Sequence, residues 1–480
     1  MIRKFINFLG IATSVAILAS CSGATESLED NQVETKQETA VEENNNASLL
    51  ARFVAENEIA TRLSEDETLW TTDSKVTDLY PIYIAGVDGV AYYECKVETN
   101  GEDAGYVLVS VTKNDILISE TAEEGKTLTE QYAKVLGTEN FNVLRYDYFS
   151  SSAESSDVSR SGNSGILLAT KGFFDGNICV AETSRSSSSD WYYDYKDNFG
   201  KKVIENGAVP QYTKEAMDVF YKDVNFTISR GGSKVEVPYI KGGTHHKLKN
   251  KFTNGQYMPN WKQYDMTDGF PAGCGSTAWA MVYAYWHQFK GKSKLFDSLN
   301  LNSKKDIYSQ SYCTASGGDD SSIIINTMFD IGVYCNGTTG YDVYGGKYRM
   351  ILPYTNPGMS TGIKYAQKKG YSASVSCKTL WADWQGATDN IINEIKNDRP
   401  VILYFDGKNF EGKYFKYHYA VITGVKEHYW TNTDVTTQLR LDVDNGWGTN
   451  KDNYKQIYAF THDVNVTATN CFDYYTVNIK

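Results

Sequence analysis

The chain has 480 residues, 41% hydrophobic and 22% charged, with a formal net charge of −12 and a pI near 5.1. That acidic balance, with no basic stripe to pair with phosphates, excludes nucleic acid as the partner. The length suffices for two or three domains with their own cores. No apolar run beyond the N-terminus is long enough to span a bilayer.

Residues 1–21, "MIRKFINFLGIATSVAILASC", have a basic start (Arg3, Lys4), an apolar run and the ending Leu18-Ala19-Ser20-Cys21. This is the form of a secretory signal peptide. Its ending resembles the bacterial lipobox. The resemblance implies a lipidated Cys21 and a protein anchored in the cell envelope of a bacterium, at the periplasmic or surface face of the outer membrane. An ordinary signal cut before a chance cysteine is the alternative. Residues 22–47 are acidic and nearly free of apolar side chains, which predicts a flexible tether.

Residues 48–149 read as a small α+β unit. A helical pattern, "SLLARFVAENEIATRL", precedes the alternating runs "YPIYIAG", "VAYYECKVET", "GYVLVSVT" and "DILISET", and "TLTEQYAKVLG" closes the unit as a second helix. The stretch 150–165, "SSSAESSDVSRSGNSG", has the composition of an exposed linker and a site of proteolytic nicking. Residues 166–250 resist assignment and are left open as part of either neighbour.

From residue 251 the pattern sharpens into a second α+β domain, 251–480. In "GFPAGCGSTAWAMVYAYW" (269–286), Pro271 and Gly273 suit a turn, and the residues from Cys274 onward recur at helical spacing: Cys274, Thr277, Ala278, Met281, Val282, Tyr285, Trp286 and Phe289. Cys274 then sits in a first helical turn, where unpaired N–H groups and the helix dipole stabilise a thiolate. A buried thiol or a disulfide remains open for it on this stretch alone. The glycine- and tyrosine-rich segments "TASGGDDSS" and "GTTGYDVYGGKY" read as long loops. "TDNIINEIKNDRP" (388–400) reads as a helix stopped before Pro400. "VILYF", "YHYAVITGVKEHY", "QLRLDVDNGW" and "YKQIYAF" read as successive strands.

Eight cysteines are present: Cys21, Cys95, Cys179, Cys274, Cys313, Cys335, Cys377 and Cys471. If Cys21 carries lipid, an odd number remains and one thiol must stay unpaired within the chain. No CxxC or His-rich spacing points to a structural zinc, and no metal or organic cofactor is expected.

A cysteine nucleophile needs a base and a group that orients the base. Of the six histidines, His245 and His246 lie in a lysine-rich loop, His287 is more than three turns along the Cys274 helix, and His428 and His462 lie in polar surroundings. His418 alone opens an apolar run, "HYAVITGV", as an imidazole at the rim of a packed sheet would; a structural histidine is the competing reading. The third element, "VDNGWGTN" (443–450), is by itself a hairpin-turn signal.

Together, "GCGSTAWAMVYAYW", "HYAVITGV" and "NGWG" resemble the papain-like cysteine peptidases in the order Cys, His, Asn. "DRPVILYF" ahead of the histidine makes the block especially similar to streptopain-type bacterial peptidases with a peptidase-C39-like core. The 144 residues from Cys274 to His418 fall within the roughly 130–150 of papain-type enzymes. The resemblance implies a two-lobe catalytic domain, one lobe of helices and one an antiparallel sheet. It makes Cys274 the nucleophile, His418 the general base, Asn445 the orienting amide and Trp447 its shield. Gln263, in "NWKQY", becomes the oxyanion donor beside the Cys274 N–H. Aligning "GWG" on the streptopain pattern puts Asp444 in place of Asn445, and only one strand neighbour can face the imidazole; Asn445 is favoured. "AYYECKV" and "GYVLVSVTKNDILISETAEEGKT" resemble streptopain-type propeptides, which implies that residues 48–149 form a pro-domain inhibiting a protein- or peptide-cleaving zymogen from within the chain. A transglutaminase-like transferase, a cell-wall peptide hydrolase and a catalytically dead binding lipoprotein are the other readings of the same residues.

Overall fold

The computed structural model describes residues 47–49, 51–52, 54–56, 58–63, 68–84, 89–110, 118–145, 151–155, 166–171, 178–181, 240–263, 272–296, 321–336, 342–344, 347–349, 359–379, 384–408, 414–430, 436–448, 453–460 and 471–480. The expectations for the signal peptide, for Cys21 and for nearly all of the tether therefore lie outside the described residues. Ala47–Lys480 form one compact unit.

Its N-terminal part follows the alternation of the sequence. Strands β1 (Ser74–Ile84), β2 (Tyr92–Thr99), β3 (Glu102–Ser110) and β4 (Ile118–Ala122) pair in order as an antiparallel meander. Tyr93, Cys95, Val97, Val107 and Val109 take one face and pack under Ala51, Val54, Ala55 and Ile59 of the helical turns between 47 and 63. Tyr106 and Leu108 take the other face, with Tyr132 of helix α1 (Leu128–Leu136). Successive side chains of a strand point to opposite faces, so one meander supplies two cores. Helix α1 begins in a reciprocal capping box between Thr127 and Glu130 and ends at Gly137, φ +67°.

The linker expectation fails at its first residues. Ser151–Ser155 form β6, paired between β5 (Phe141–Arg145) and β7 (Leu167–Lys171), and Ser152 and Ala153 are fully buried. Composition misleads here because a serine hydroxyl is easily satisfied inside a fold: Ser151 Oγ lies 3.0 Å from the Tyr132 hydroxyl. Residues 156–165 lie outside the described residues. With β8 (Ile178–Val180) pairing β7, the N-terminal part runs on to residue 181. Strands β9 (Ile240–Gly242) and β10 (His246–Lys247) instead pair with β15 (Tyr414–Trp430) of the C-terminal part. The segment 166–250, open from sequence, is thus divided between both parts.

In the C-terminal part, the order is β13 (Ala373–Thr379), β18 (Cys471–Ile479), β14 (Val401–Lys408), β15, β16 (Thr436–Asp444) and β17 (Tyr454–Phe460), all antiparallel. Helix α2 (Cys274–Phe289) lies against this sheet, with α3 (Ser321–Asn336) and the turn Thr361–Ile363 also in the core around it. Helix α3 lies between the two expected loops, sharing only Ser321 and Ser322 with the first, while the second is corrected in part, for β11 (Asp342–Tyr344) pairs with β12 (Lys347–Arg349) there as a short hairpin. The buried Ile324, Thr327, Met328 and Ile331 of α3 follow helical spacing, but the β-branched triplet Ile323–Ile325 hides that spacing in the sequence.

The two parts share one sheet, because β17 pairs with β4 through Gln456 opposite Thr121 and Ile457 opposite Glu120. Buried charges line this junction. Glu120 accepts from Lys455 Nζ (2.8 Å), Arg145 Nη2 (2.8 Å) and the Tyr106 hydroxyl (2.5 Å). Those cations hold its carboxyl below the ordinary range against the opposing effect of burial. Arg62, 1% exposed, donates to Glu58 (2.7 Å), Glu123 (2.6 Å), Thr121 Oγ1 (2.5 Å) and Gln456 Oε1 (3.2 Å). Removing one member of a buried ion group strands the others, so Arg62→Ala should destabilise the N-terminal part by about 3–5 kcal/mol. Denaturant unfolding followed by tryptophan fluorescence measures it; a loss below about 1 kcal/mol contradicts the network.

Candidate active site

Helix α2 begins at Cys274 because Gly273, at φ +89°, takes a backbone angle that side chains avoid. The apolar stripe read from sequence is present, but every residue from Cys274 to Trp286 is buried. A helix apolar all round belongs inside a core, and its polar tips find partners there. Trp279 Nε1 donates to Met359 O (3.0 Å), the Tyr283 hydroxyl to Gly362 O (2.7 Å), and the Tyr285 hydroxyl to the Asp398 carboxylate. Asp398 also receives Lys249 N (2.8 Å) and Asn250 Nδ2 (3.0 Å). Gly362 is required at its place, since a Cβ there would lie 2.4 Å from Trp279 Nε1.

Cys274 is a free thiol, 3% exposed, which removes the disulfide reading. Cys95, Cys179 and Cys377 are free too, so the odd count of cysteines does not distinguish Cys274 from them. Cys95 is a small core residue of β2 whose Sγ donates to Ala51 O (3.5 Å). Burial pushes the Cys274 thiol up to about 11, opposed by the main-chain N–H groups of Tyr419, Gly275 and Cys274 itself. The Tyr419 amide is the link between the two candidate side chains. It places the sulfur against β15 at the residue that follows His418.

His418 is 1% exposed, paired opposite Phe405 of β14. Its Nε2 lies 3.0 Å from the main-chain oxygen of Asn445. A carbonyl only accepts, so Nε2 carries the proton and Nδ1 is the basic nitrogen. Burial drives the imidazole down to about 3, with the Asn445 carbonyl acting the other way. Trp447 stacks obliquely over the ring, centroids 5.7 Å apart at 45°, in the shielding place expected for it. Asn445 thus reaches His418 through its backbone. The side chain of Asp444, the alternative partner, bends back into its own turn and accepts from Gly446 N (2.9 Å).

The turn after β16 packs on the first turn of α2: a Cβ at Gly446 (φ +67°) would meet Thr277 Cγ2 at 3.0 Å and Met281 Cε at 3.4 Å. Lys262 forms a bridge with Trp447, and Gly448 N donates to Trp261 O (3.0 Å). Gln263, 7% exposed, is therefore held beside the same turn. The four segments chosen from sequence meet in one place. What sequence reading missed are main-chain groups, the Tyr419 N–H and the Asn445 carbonyl, which leave no residue-type signal. The other described histidines lie elsewhere. His245 Nε2 contacts Asp442 Oδ2 (2.5 Å) beside Arg440 Nη2, and His428 is opposite Gly242 in the β9–β15 pairing. His462 lies outside the described residues.

Chemically, a thiol and an imidazole of fixed tautomer, enclosed with N–H groups facing the sulfur, can do acyl transfer. Asp444 gives this site a pH signature. Burial raises its carboxyl to about 7, against the Gly446 N–H. A folded-state value above the unfolded one means that stability is full below about pH 4 and is lost as pH rises through 7. Asp444→Asn keeps an acceptor for Gly446 and cannot ionise. Its thermal stability relative to wild type should therefore rise from pH 5 to pH 8, by up to about 2.6 kcal/mol. A pH-independent difference contradicts the burial of the charge.

Residues 256–466 match the model of the Peptidase_C39 like family. No curated protein matches the sequence. Among solved structures, the chain is similar to a fragment of Prevotella intermedia prointerpain A carrying a Cys-to-Ala mutation. The identity is 13% over 83% of this chain and 97% of that one, with a TM-score of 0.32. It is also similar to active wild-type interpain A cysteine protease of the same organism, at 16% identity over 48% of this chain and 86% of that one, with a TM-score of 0.24.

Proposed function

We propose that the chain, whose residues 256–466 match the peptidase-C39-like family model, is a cysteine-type endopeptidase, made as a zymogen and held by lipid on Cys21 in a bacterial cell envelope. The observation that carries the reading is the placement of Cys274 Sγ against the Tyr419 amide, next to a His418 whose Nε2 is bonded to Asn445 O.

In the proposed reaction, the Cys274 sulfur attacks the scissile carbonyl carbon as its proton passes to His418 Nδ1. Gln263 and the Cys274 N–H receive the oxyanion. The C–N bond then breaks, the imidazolium protonates the leaving amine, and a thioester remains. Water activated by Nδ1 attacks that thioester and frees the acid and the thiol. The Asn445 carbonyl keeps Nε2 protonated throughout, and Trp447 keeps water from that bond.

Latency fits two observations. Cys274 and His418 are only 3% and 1% exposed, and burial shifts both away from the ion pair that a reactive cysteine needs. The N-terminal part, extended to residue 181, is the proposed inhibitor, and an activating cut belongs between 181 and 240. Purified wild-type chain should gain casein-hydrolysing activity as a fragment starting in that interval accumulates. Cys274→Ala should stay full length and inactive while unfolding cooperatively, since losing one buried sulfur removes little volume. Casein hydrolysis by Cys274→Ala at the wild-type rate would end the reading. Cys21→Ser should shift the protein from the membrane fraction to the soluble one.

A further inference from the structure

The turn that meets His418 has each of its amides engaged. Asn445 N donates to Asn453 O (2.9 Å) and Gly446 N to Asp444 Oδ1 (2.9 Å). Trp447 N donates to Asn453 Oδ1 (2.6 Å) and Gly448 N to Trp261 O (3.0 Å). Two of these four bonds go to Asn453, which is fully buried and stands directly before β17. One is made by its backbone and the other by its side chain, and they fall on Asn445 and Trp447, either side of Gly446.

The carbonyl that receives His418 Nε2 lies between those two points. It belongs to the Asn445–Gly446 peptide, and a planar peptide pinned on both flanks has one direction left for its oxygen. Gly446, at φ +67°, would otherwise be the loosest residue of the turn. We propose that Asn453 is a positioning residue for catalysis: by clamping Asn445 and Trp447 together it aims the Asn445 carbonyl at His418, and so sets the tautomer and angle of the general base. An ordinary structural role, tying the start of β17 to the end of β16, would use the same bonds but leave the imidazole indifferent to them.

The proposal rests on Cys274 and His418 being the reacting pair, and two readouts, both taken on the full chain after processing has relieved its latency, keep the ideas separate. The first is the pH profile of Cys274 alkylation by iodoacetamide, located by mass mapping. The second is kcat and KM for casein cleavage after processing. In wild type, an assisted thiol should alkylate ahead of the other cysteines; if Cys274 does not react at all, the pair itself is wrong. In Asn453→Ala, kcat should fall on the order of 10²-fold, the penalty of a base misplaced by about 1 Å, with KM within about threefold. The alkylation profile should move toward that of an unassisted thiol. Asn453→Asp, measured at pH 6 where Asp444 is still largely protonated, keeps an acceptor for the Trp447 amide and should stay closer to wild type than Ala. If the Ala variant does not unfold cooperatively, Asn453→Ser takes its place, its hydroxyl being too short to reach that amide. A folded Ala or Ser variant with wild-type kcat and alkylation profile overturns the proposal, as does an Asp variant that falls as far as Ala.

Discussion

The burial of helix α2 on all its sides is the constraint from which the site follows. A helix with a solvent face can rock about its axis; one packed against β15 on one side, and against α3 and the turn at Thr361–Ile363 elsewhere, cannot do so without opening a cavity. The hydrogen bonds of Trp279, Tyr283 and Tyr285 fix its rotation as well as its depth. Cys274 inherits that rigidity because it is the first residue of the helix. The sulfur is positioned by the buried residues that follow it in the helix, most of which take no part in the chemistry but would resist its displacement.

The same packing explains the electrostatics. Removing water from around Cys274 and His418 favours the neutral form of each, so thiol and imidazole are both discouraged from charging. The amides of Tyr419, Gly275 and Cys274 pull the other way, and they are built into a strand and a helix end that do not reorganise. A site of this kind is held near neutrality by its surroundings and biased toward charge by fixed dipoles. Any event that admits water or a polar substrate therefore acts on a prepared balance.

Much of this was legible in the sequence, where pattern and chemistry coincide. The period of the strands in "VAYYECKVET" and "GYVLVSVT" survives as two faces of a meander, and the glycine before Cys274 marks the start of its helix. Cys274, His418, Trp447 and Gln263 could be chosen because their side-chain types suit the roles proposed for them. Asn445 was expected to reach His418 through its side-chain amide, and the structure places its main-chain oxygen there instead, a group common to all residues. Helix α3 was hidden by isoleucines that favour strands, and β6 by serines that favour loops. Both are cases where tertiary packing overrides a local preference. The pairing of β4 with β17 joins residues more than 300 positions apart and rests on hydrogen bonds that any sequence can make.

That pairing has a consequence for the life of the molecule after any separation of its two parts. In the described sheet, β17 is bonded on one side to β16 and on the other to β4. Without β4 it becomes an edge, a row of vacant donors and acceptors ready to template a strand from another chain. Lys455, now buried against Glu120, would stand on that edge as an unneutralised cation, the device by which natural sheets discourage such growth. The lysine that serves as a counter-ion inside the joined sheet would, on such a separation, become a guard against self-association.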